Sequence, residues 1–182
     1  SSSNLLRGVL QPVNQPNSFR EVYDMHANDL LAITYTYVKD WGMAEDITQE
    51  VFTKYWQHQN QFRQESSLKT YLIRAAINRS KDYLKSWRYR THLLTNQFFG
   101  NTRDKSAIME QEEYALLANA VFELPVELRE IIILYFYQHY TYKQIAEVLQ
   151  TPESTIKNQM YKAKALLKQK LPKEEWEVLA YE

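Results

Sequence analysis

The sequence predicts an all-α chain, long enough for one domain or two small ones, and three observations carry that expectation. Apolar residues recur at helical spacing, as in Ala44, Ile47, Val51 and Tyr55, and again in Ile156, Met160, Ala163 and Leu167. Only 3 Gly and 5 Pro occur in 182 residues, too few for a β-sandwich or a glycine-looped nucleotide site, while Leu, Ala, Lys, Gln and Glu abound. One long stretch, residues 92–107, lacks periodicity, and Gly100 with its neighbouring Asn, Thr and Ser breaks the helical pattern there.

The helix expected from Ala44 to Gln57 turns Ala44, Ile47, Val51 and Tyr55 inward, with Phe52 and Trp56 flanking that side. Asp46, Gln49, Glu50 and Thr53 gather on a different face. From Asp40 to Thr53 the chain carries Asp40, Glu45, Asp46 and Glu50 with no Lys or Arg, a net of −4. Carboxylates beside amides, with no balancing lysine, suit a basic protein partner better than DNA. Catalytic carboxylates are a poor alternative: no nucleophile or ligand set accompanies them, and His26, His58, His92 and His139 share no metal-ligand spacing. No enzymatic chemistry, cofactor, metal or small-molecule substrate is therefore expected.

The next helix, Ser67 to Arg90, buries Ile73, Ile77, Ser80, Leu84 and Trp87. Arg74, Asn78, Lys81, Lys85 and Arg88 form a second stripe at the same spacing. From Tyr71 to Arg90 the net charge is +5, so the overall charge of zero conceals strong segregation. A basic line opposite a buried face suits a phosphate backbone, with Asn78 able to bond a base or sugar. The competing reading, a salt-bridged surface helix, needs acidic partners, and in the sequence only Asp82 is at hand, better placed for Arg79.

Residues 141–171 read as two short helices meeting at a tight corner. Thr141 and Gln144 form a capping-box start, and Tyr142, Ile145 and Leu149 follow as an apolar stripe. Gln150 and Thr151 break the pattern, with Pro152 expected at the first position of the second helix and Thr151 as its N-cap. The buried stripe Ile156, Met160, Ala163 and Leu167 leaves Ser154, Thr155, Asn158, Gln159 and Lys162 outward near the helix start. Those residue types contact base edges and phosphates from a recognition helix in the major groove. Six lysines against two glutamates give the segment a net of +4.

No cysteine is present, which fits a reducing compartment. The longest apolar run, Ile131 to Tyr137, is too short to cross a bilayer, and no signal peptide is visible. A cytoplasmic protein without membrane insertion is expected.

Four segments in order, AEDITQEVFTKYW, SSLKTYLIRAAINRSKDYLKS, ELPVELREIIILYFYQHYTYKQIAEVL and STIKNQMYKAKALLKQKL, give a specific resemblance. Together they resemble the alternative sigma factors of the extracytoplasmic-function (ECF) group, over roughly Ser18 to Leu171. The resemblance implies two small helical domains joined by a flexible linker: a sigma-2-like helical bundle over residues 18–91, the linker at 92–108, where the aperiodic stretch falls, and a sigma-4-like helix-turn-helix domain over 109–172. The tails, 1–17 and 173–182, match nothing in that pattern. It further implies a transcription initiation factor that binds RNA polymerase core, on its β′ coiled coil and β flap, and directs it to promoter DNA. Asp46, Gln49, Glu50 and Thr53 would dock on the core. Arg63, Ser66, Ser67 and Lys69, in the loop and helix start, would engage the −10 element with Arg74, Asn78, Lys81, Lys85 and Arg88, capturing a flipped base. Thr141, Ser154, Thr155, Lys157, Asn158, Gln159 and Lys162 would face the −35 duplex. An anti-sigma factor is the further partner implied.

Two departures stand out. The family's recognition helix usually opens with Gly-Thr-Val and is rich in arginine; here Ser154-Thr155-Ile156 opens it, with Gln159, Lys162 and Lys164 where Arg is common. Lysine lacks the guanidinium fork that grips guanine at two atoms, so a different −35 preference is expected. Tyr71 stands where the family often has Trp and reads as a core residue rather than a base-stacking platform. Two other readings stay open at this level: a self-sufficient helix-turn-helix regulator with an N-terminal dimerisation or sensing domain, and a helical scaffold or anti-sigma-like adaptor without DNA contact.

Overall fold

The computed structural model describes residues 18–59, 67–86, 90, 91, 94, 112–174 and 177. Trp87, most of the linker, Arg63, Ser66, Arg88 and both tails apart from 173, 174 and 177 lie outside the described residues.

Among the described residues three long helices make the first domain, and each begins at a side chain that can satisfy an orphan backbone N–H. Helix α1 spans Phe19–Val38, and the Ser18 hydroxyl accepts the Glu21 N–H at 3.2 Å. Helix α2 spans Trp41–His58, and Asp40 accepts the Met43 N–H at 2.8 Å. Helix α3 spans Leu68–Lys85, and Ser67 accepts the Thr70 N–H at 3.2 Å. The three pack pairwise around Leu30, Ile33, Ile47, Phe52, Leu72, Ile73 and Ile77, all fully buried. Ser80, a polar member of the α3 stripe, is tolerated there because its hydroxyl donates to the Ala76 carbonyl at 2.7 Å.

The expected faces hold with local shifts. Helix α2 starts three residues before the predicted Ala44, because Asp40 caps it. Phe52 is not a flank but a fully buried core residue, and on α3 Tyr83 is buried where Leu84 is half-buried. Tyr71 is half-buried, its ring 6.0 Å from that of Tyr55.

The second domain comprises α4 (Glu112–Glu123), α5 (Val126–Ile132) running into a π-helical turn (Ile133–Tyr137), α6 (Tyr142–Leu149) and α7 (Glu153–Lys170). Helix α7 packs on α5 and α6 through Ile156, Met160, Ala163 and Leu167, all buried, against Ile131, Leu134 and Ile145. Truncating Ile156 or Leu167 to Ala removes buried methyl groups from this packing, at a typical cost of about 2–5 kcal/mol. The capping box at α6 is present in full: Gln144 N–H to Thr141 at 3.1 Å, and Thr141 N–H to the Gln144 side chain at 2.9 Å.

The corner between α6 and α7 corrects one expectation. Gln150 adopts a left-handed backbone (φ 52, ψ 44), and the N–H of Thr151 bonds the Ala146 carbonyl at 3.0 Å. Thr151 is therefore used up in ending α6, its hydroxyl donating to the Leu149 carbonyl at 3.1 Å. Pro152, not Thr151, occupies the N-cap of α7, with no side-chain capping bond.

The two domains touch along α1 with α5 and along α3 with α6.

Candidate nucleic-acid and partner interfaces

Helix α7 presents the clearest outward face. Because the stripe from Ile156 to Leu167 is buried, Ser154, Lys157, Asn158 and Lys162 are exposed, and Thr155 and Gln159 are half-buried beside them. Thr141, at the start of α6, is also exposed. Glu153 and Lys157, one turn apart at 3.5 Å, form an exposed pair of small energetic weight. The structure adds a residue that the sequence reading passed over: Tyr161, 78% exposed, one turn beyond Asn158 and next to Lys162. An aromatic ring off the buried stripe was the available signal. Backbone and side chain together offer donors, acceptors, cations and one apolar ring on a single helix face, the chemistry of direct readout.

The α3 stripe is divided. Asn78 and Lys85 are exposed, whereas Arg74 and Lys81 are half-buried against the second domain. Arg74 Nη2 donates to the Glu147 carbonyl at the end of α6 at 3.1 Å. Lys81 Nζ lies 3.1 Å from a carboxylate oxygen of Glu130 on α5, and 6.0 Å over the Tyr37 ring. The Tyr37 hydroxyl donates to the same carboxylate. Burial, and then the neighbouring Glu130 charge, push the Tyr37 hydroxyl well above its ordinary range, so it stays a donor. Burial likewise raises the Glu130 carboxyl, against the opposite pull of Lys81. Lys69 pairs with Asp29 of α1 at 3.4 Å, and the exposed Ser67 is the N-cap of α3. The acidic partners that α3 lacks in sequence are thus supplied from distant helices.

Helix α2 carries the acid and amide face as expected in position but not in balance. Asp46, Gln49 and Thr53 are exposed; Glu50 is half-buried. Glu50 accepts Arg79 Nε on both oxygens at 3.0 and 3.1 Å, and Lys54 Nζ lies 3.0 Å away. The Arg79 hydrogen bond, ahead of the Lys54 contact, holds the Glu50 carboxyl below its usual range. Arg79 therefore pairs across helices with Glu50 rather than with Asp82, and the expectation of an unbalanced face is corrected. The free carboxylate character of this surface sits at Asp46 and Glu45, both exposed.

Among the described residues no helix is long and apolar enough to cross a membrane.

Comparison with known proteins matches this layout. The family model for Sigma-70 region 2 covers residues 22–90, and that for Sigma-70, region 4 covers residues 114–167. The ECF RNA polymerase sigma factor SigM of Bacillus subtilis (strain 168) is 27% identical over 151 residues, covering 81% of this chain and 91% of SigM. The RNA polymerase sigma factor SigV of the same organism is 27% identical over 163 residues, 82% of this chain and 89% of SigV. Among solved structures, the sigma factor RpoE in complex with the anti-sigma factor NepR, from Bartonella quintana, superposes with a TM-score of 0.63 at 22% identity, covering 83% of this chain and 94% of RpoE. With regions 2 and 4 matched in order on the two domains that carry the candidate faces, the chain belongs to the sigma-70 family of promoter-directing initiation factors of RNA polymerase, in its ECF group.

Proposed function

We propose that the chain divides promoter-directed initiation among three faces. Helix α7 reads the −35 duplex in the major groove through Ser154, Asn158, Gln159 and Lys162, with Thr141, Thr155 and Lys157 on its border and Tyr161 as an apolar contact for a thymine methyl. Helix α3 holds the −10 strand through Asn78, Lys85 and, when free, Arg74 and Lys81, joined by Arg63, Ser66, Ser67, Lys69 and Arg88 from its flanks. Helix α2 docks on the β′ coiled coil of core polymerase through Asp46, Gln49 and Thr53, with Glu50 held ionised beside them by Arg79. The β flap is the second core contact. An anti-sigma factor competing for these faces completes the partner set, on the likeness to RpoE bound to NepR and to CnrH in complex with the cytosolic domain of CnrY (TM-score 0.59, 17% identity).

The observation that carries this reading is the exposed polar face of α7 opposite a fully buried stripe, in a domain distinct from the one bearing the acid and basic faces. The experiment is reconstituted transcription with the purified chain and core polymerase on a promoter library. Promoter-specific transcripts are expected only when both are present. Tight operator binding by the chain alone, with no dependence on core, would return the self-sufficient regulator to first place.

A further inference from the structure

We infer that the aromatic cleft between α1 and the second domain is the seat of the chain's own segment 173–182, with Trp176 and Leu179 as the side chains that fill it. No residue of the cleft belongs to the DNA-facing or core-facing sets above, so the assignment stands or falls apart from them.

The cleft has a volume of about 300 Å³ and is lined by Ala32 and Tyr35 of α1, Phe122 of α4, and Ile133, Phe136 and Tyr137 of the π-helical turn. The domains meet within this lining through Tyr35 and Phe122, whose rings lie edge to face at 5.5 Å. Trp41 stacks on Tyr35 at 3.9 Å, which carries the aromatic surface on to the start of α2. Tyr137 is 57% exposed. Rings around an open space lack the contacts that a close-packed interior supplies. A large flat side chain, bringing its own faces and edges, restores most of them.

The path of the chain, its apolar spacing and its charge name the occupant. Helix α7 delivers the chain to this place: Lys170 Nζ lies 2.7 Å from the carboxylate of Glu123, the residue after Phe122, and Leu171 is buried. Pro172 suits a helix start. Lys173 and Glu174 are helical, and Lys173 pairs with Glu177 one turn on at 4.0 Å. In the sequence Trp176, Leu179 and Ala180 follow at i, i+3 and i+4, the spacing of one apolar face. Trp176 comes four residues after Pro172, about 6 Å of helix, so no long tether separates it from Phe122. The segment carries Glu174, Glu175, Glu177 and Glu182 against Lys173, a net of −3. Cations flank the cleft. Lys39 bonds the Tyr35 carbonyl through its backbone N–H at 2.8 Å, and the Lys164 ammonium lies 5.7 Å over the Phe136 ring. An acidic segment with an aromatic anchor thus matches an aromatic cleft with a basic rim. Once seated, it closes the cleft to any other apolar helix, which would have to displace it.

The test uses the full chain labelled with fluorotryptophan, the Trp176 fluorine resonance being assigned with Trp176→Phe. Its relaxation by a soluble nitroxide is expected to be about tenfold weaker than in urea, as for a docked state that outweighs the free one by about ten to one. Tyr137→Glu sets a carboxylate at an exposed rim position and is expected to return Trp176 to the nitroxide with helical content unchanged. The chain has no cysteine, so thiols can be placed in pairs. A short bis-maleimide is expected to link Tyr137→Cys to Ala180→Cys within one chain. It is expected to leave Met25→Cys with Ala180→Cys unlinked, since the exposed Met25 lies about 15 Å back along α1 from Tyr35. Relaxation of Trp176 as strong as in urea overturns the seat, and so does equal linking of both pairs. Protection that survives Tyr137→Glu, with no link to position 137, puts the segment elsewhere and overturns it too. Links between two chains overturn the intramolecular seat and give the cleft to a second copy. If Tyr137→Glu loses helical content, the cysteine pairs decide.

Discussion

Gln150 holds the corner of the helix-turn-helix in a left-handed backbone that an L side chain adopts at a cost. Glycine takes that conformation freely, so Gln150→Gly is expected to stabilise the chain by about 0.5–1 kcal/mol, a rise of about 1–4 °C in Tm for a chain of this size. Thermal unfolding followed by helical circular dichroism checks this; a fall in Tm would mean that the Gln150 side chain makes a compensating contact. Glu50 supplies a second residue-scale expectation. Its folded pKa is depressed, first by the Arg79 hydrogen bond, so its contribution to stability is present above the unfolded carboxylate range and is lost as pH falls through the folded value. The Tm advantage of the parent over Glu50→Gln is therefore expected to be full near neutrality and to vanish in acid. An advantage that persisted unchanged to strongly acidic pH would show that Glu50 acts without its charge.

At the scale of single helices, α2 and α3 show what periodicity reveals and what it hides. The buried stripes of α2, α3 and α7 are legible because apolar spacing alone decides which face turns inward. The partners of the polar face are not, since Arg79 finds Glu50 from 29 residues away and Lys81 finds Glu130 from 49 away. Sequence proximity pointed to Asp82 for Arg79, and the cross-helix pairing overrode it. The corner of the second domain was missed by one position for a similar reason: Thr151 serves the end of α6 before it can serve the start of α7. The exposed part of the α2 face gives the test at this scale. Asp46→Lys is expected to cut core-polymerase association at least tenfold while leaving helicity unchanged, because Asp46 lies off the buried stripe. Unimpaired association, measured by co-elution with core, would show that the docking face lies elsewhere.

At the scale of the whole molecule, the two-domain architecture followed from the family resemblance carried by four sequence segments, whereas the contact between domains could not. No periodicity encodes which residues of α1 will meet α5. The consequence is functional: acidic surfaces and a closed arrangement both oppose duplex DNA, so the free chain is expected to bind promoter duplex weakly, and to gain affinity once core polymerase fixes the spacing of its domains. Tight, sequence-specific binding by the free chain at physiological salt would contradict that.

The central claim is the division of labour between α7 and α3, and one measurement meets it directly: transcription from promoters varied separately at −35 and at −10, across a salt series, for Asn158→Ala and Lys85→Ala. Both residues are exposed and lie outside the buried stripes. Asn158→Ala is expected to re-rank the −35 variants, with about 1–3 kcal/mol of discrimination lost at the base it contacts, and to leave the ranking of −10 variants alone. Lys85→Ala is expected to lower opening at every promoter and to reduce the log–log salt slope by about one. Uniform weakening by Asn158→Ala, together with re-ranking of −35 variants by Lys85→Ala, would contradict the account.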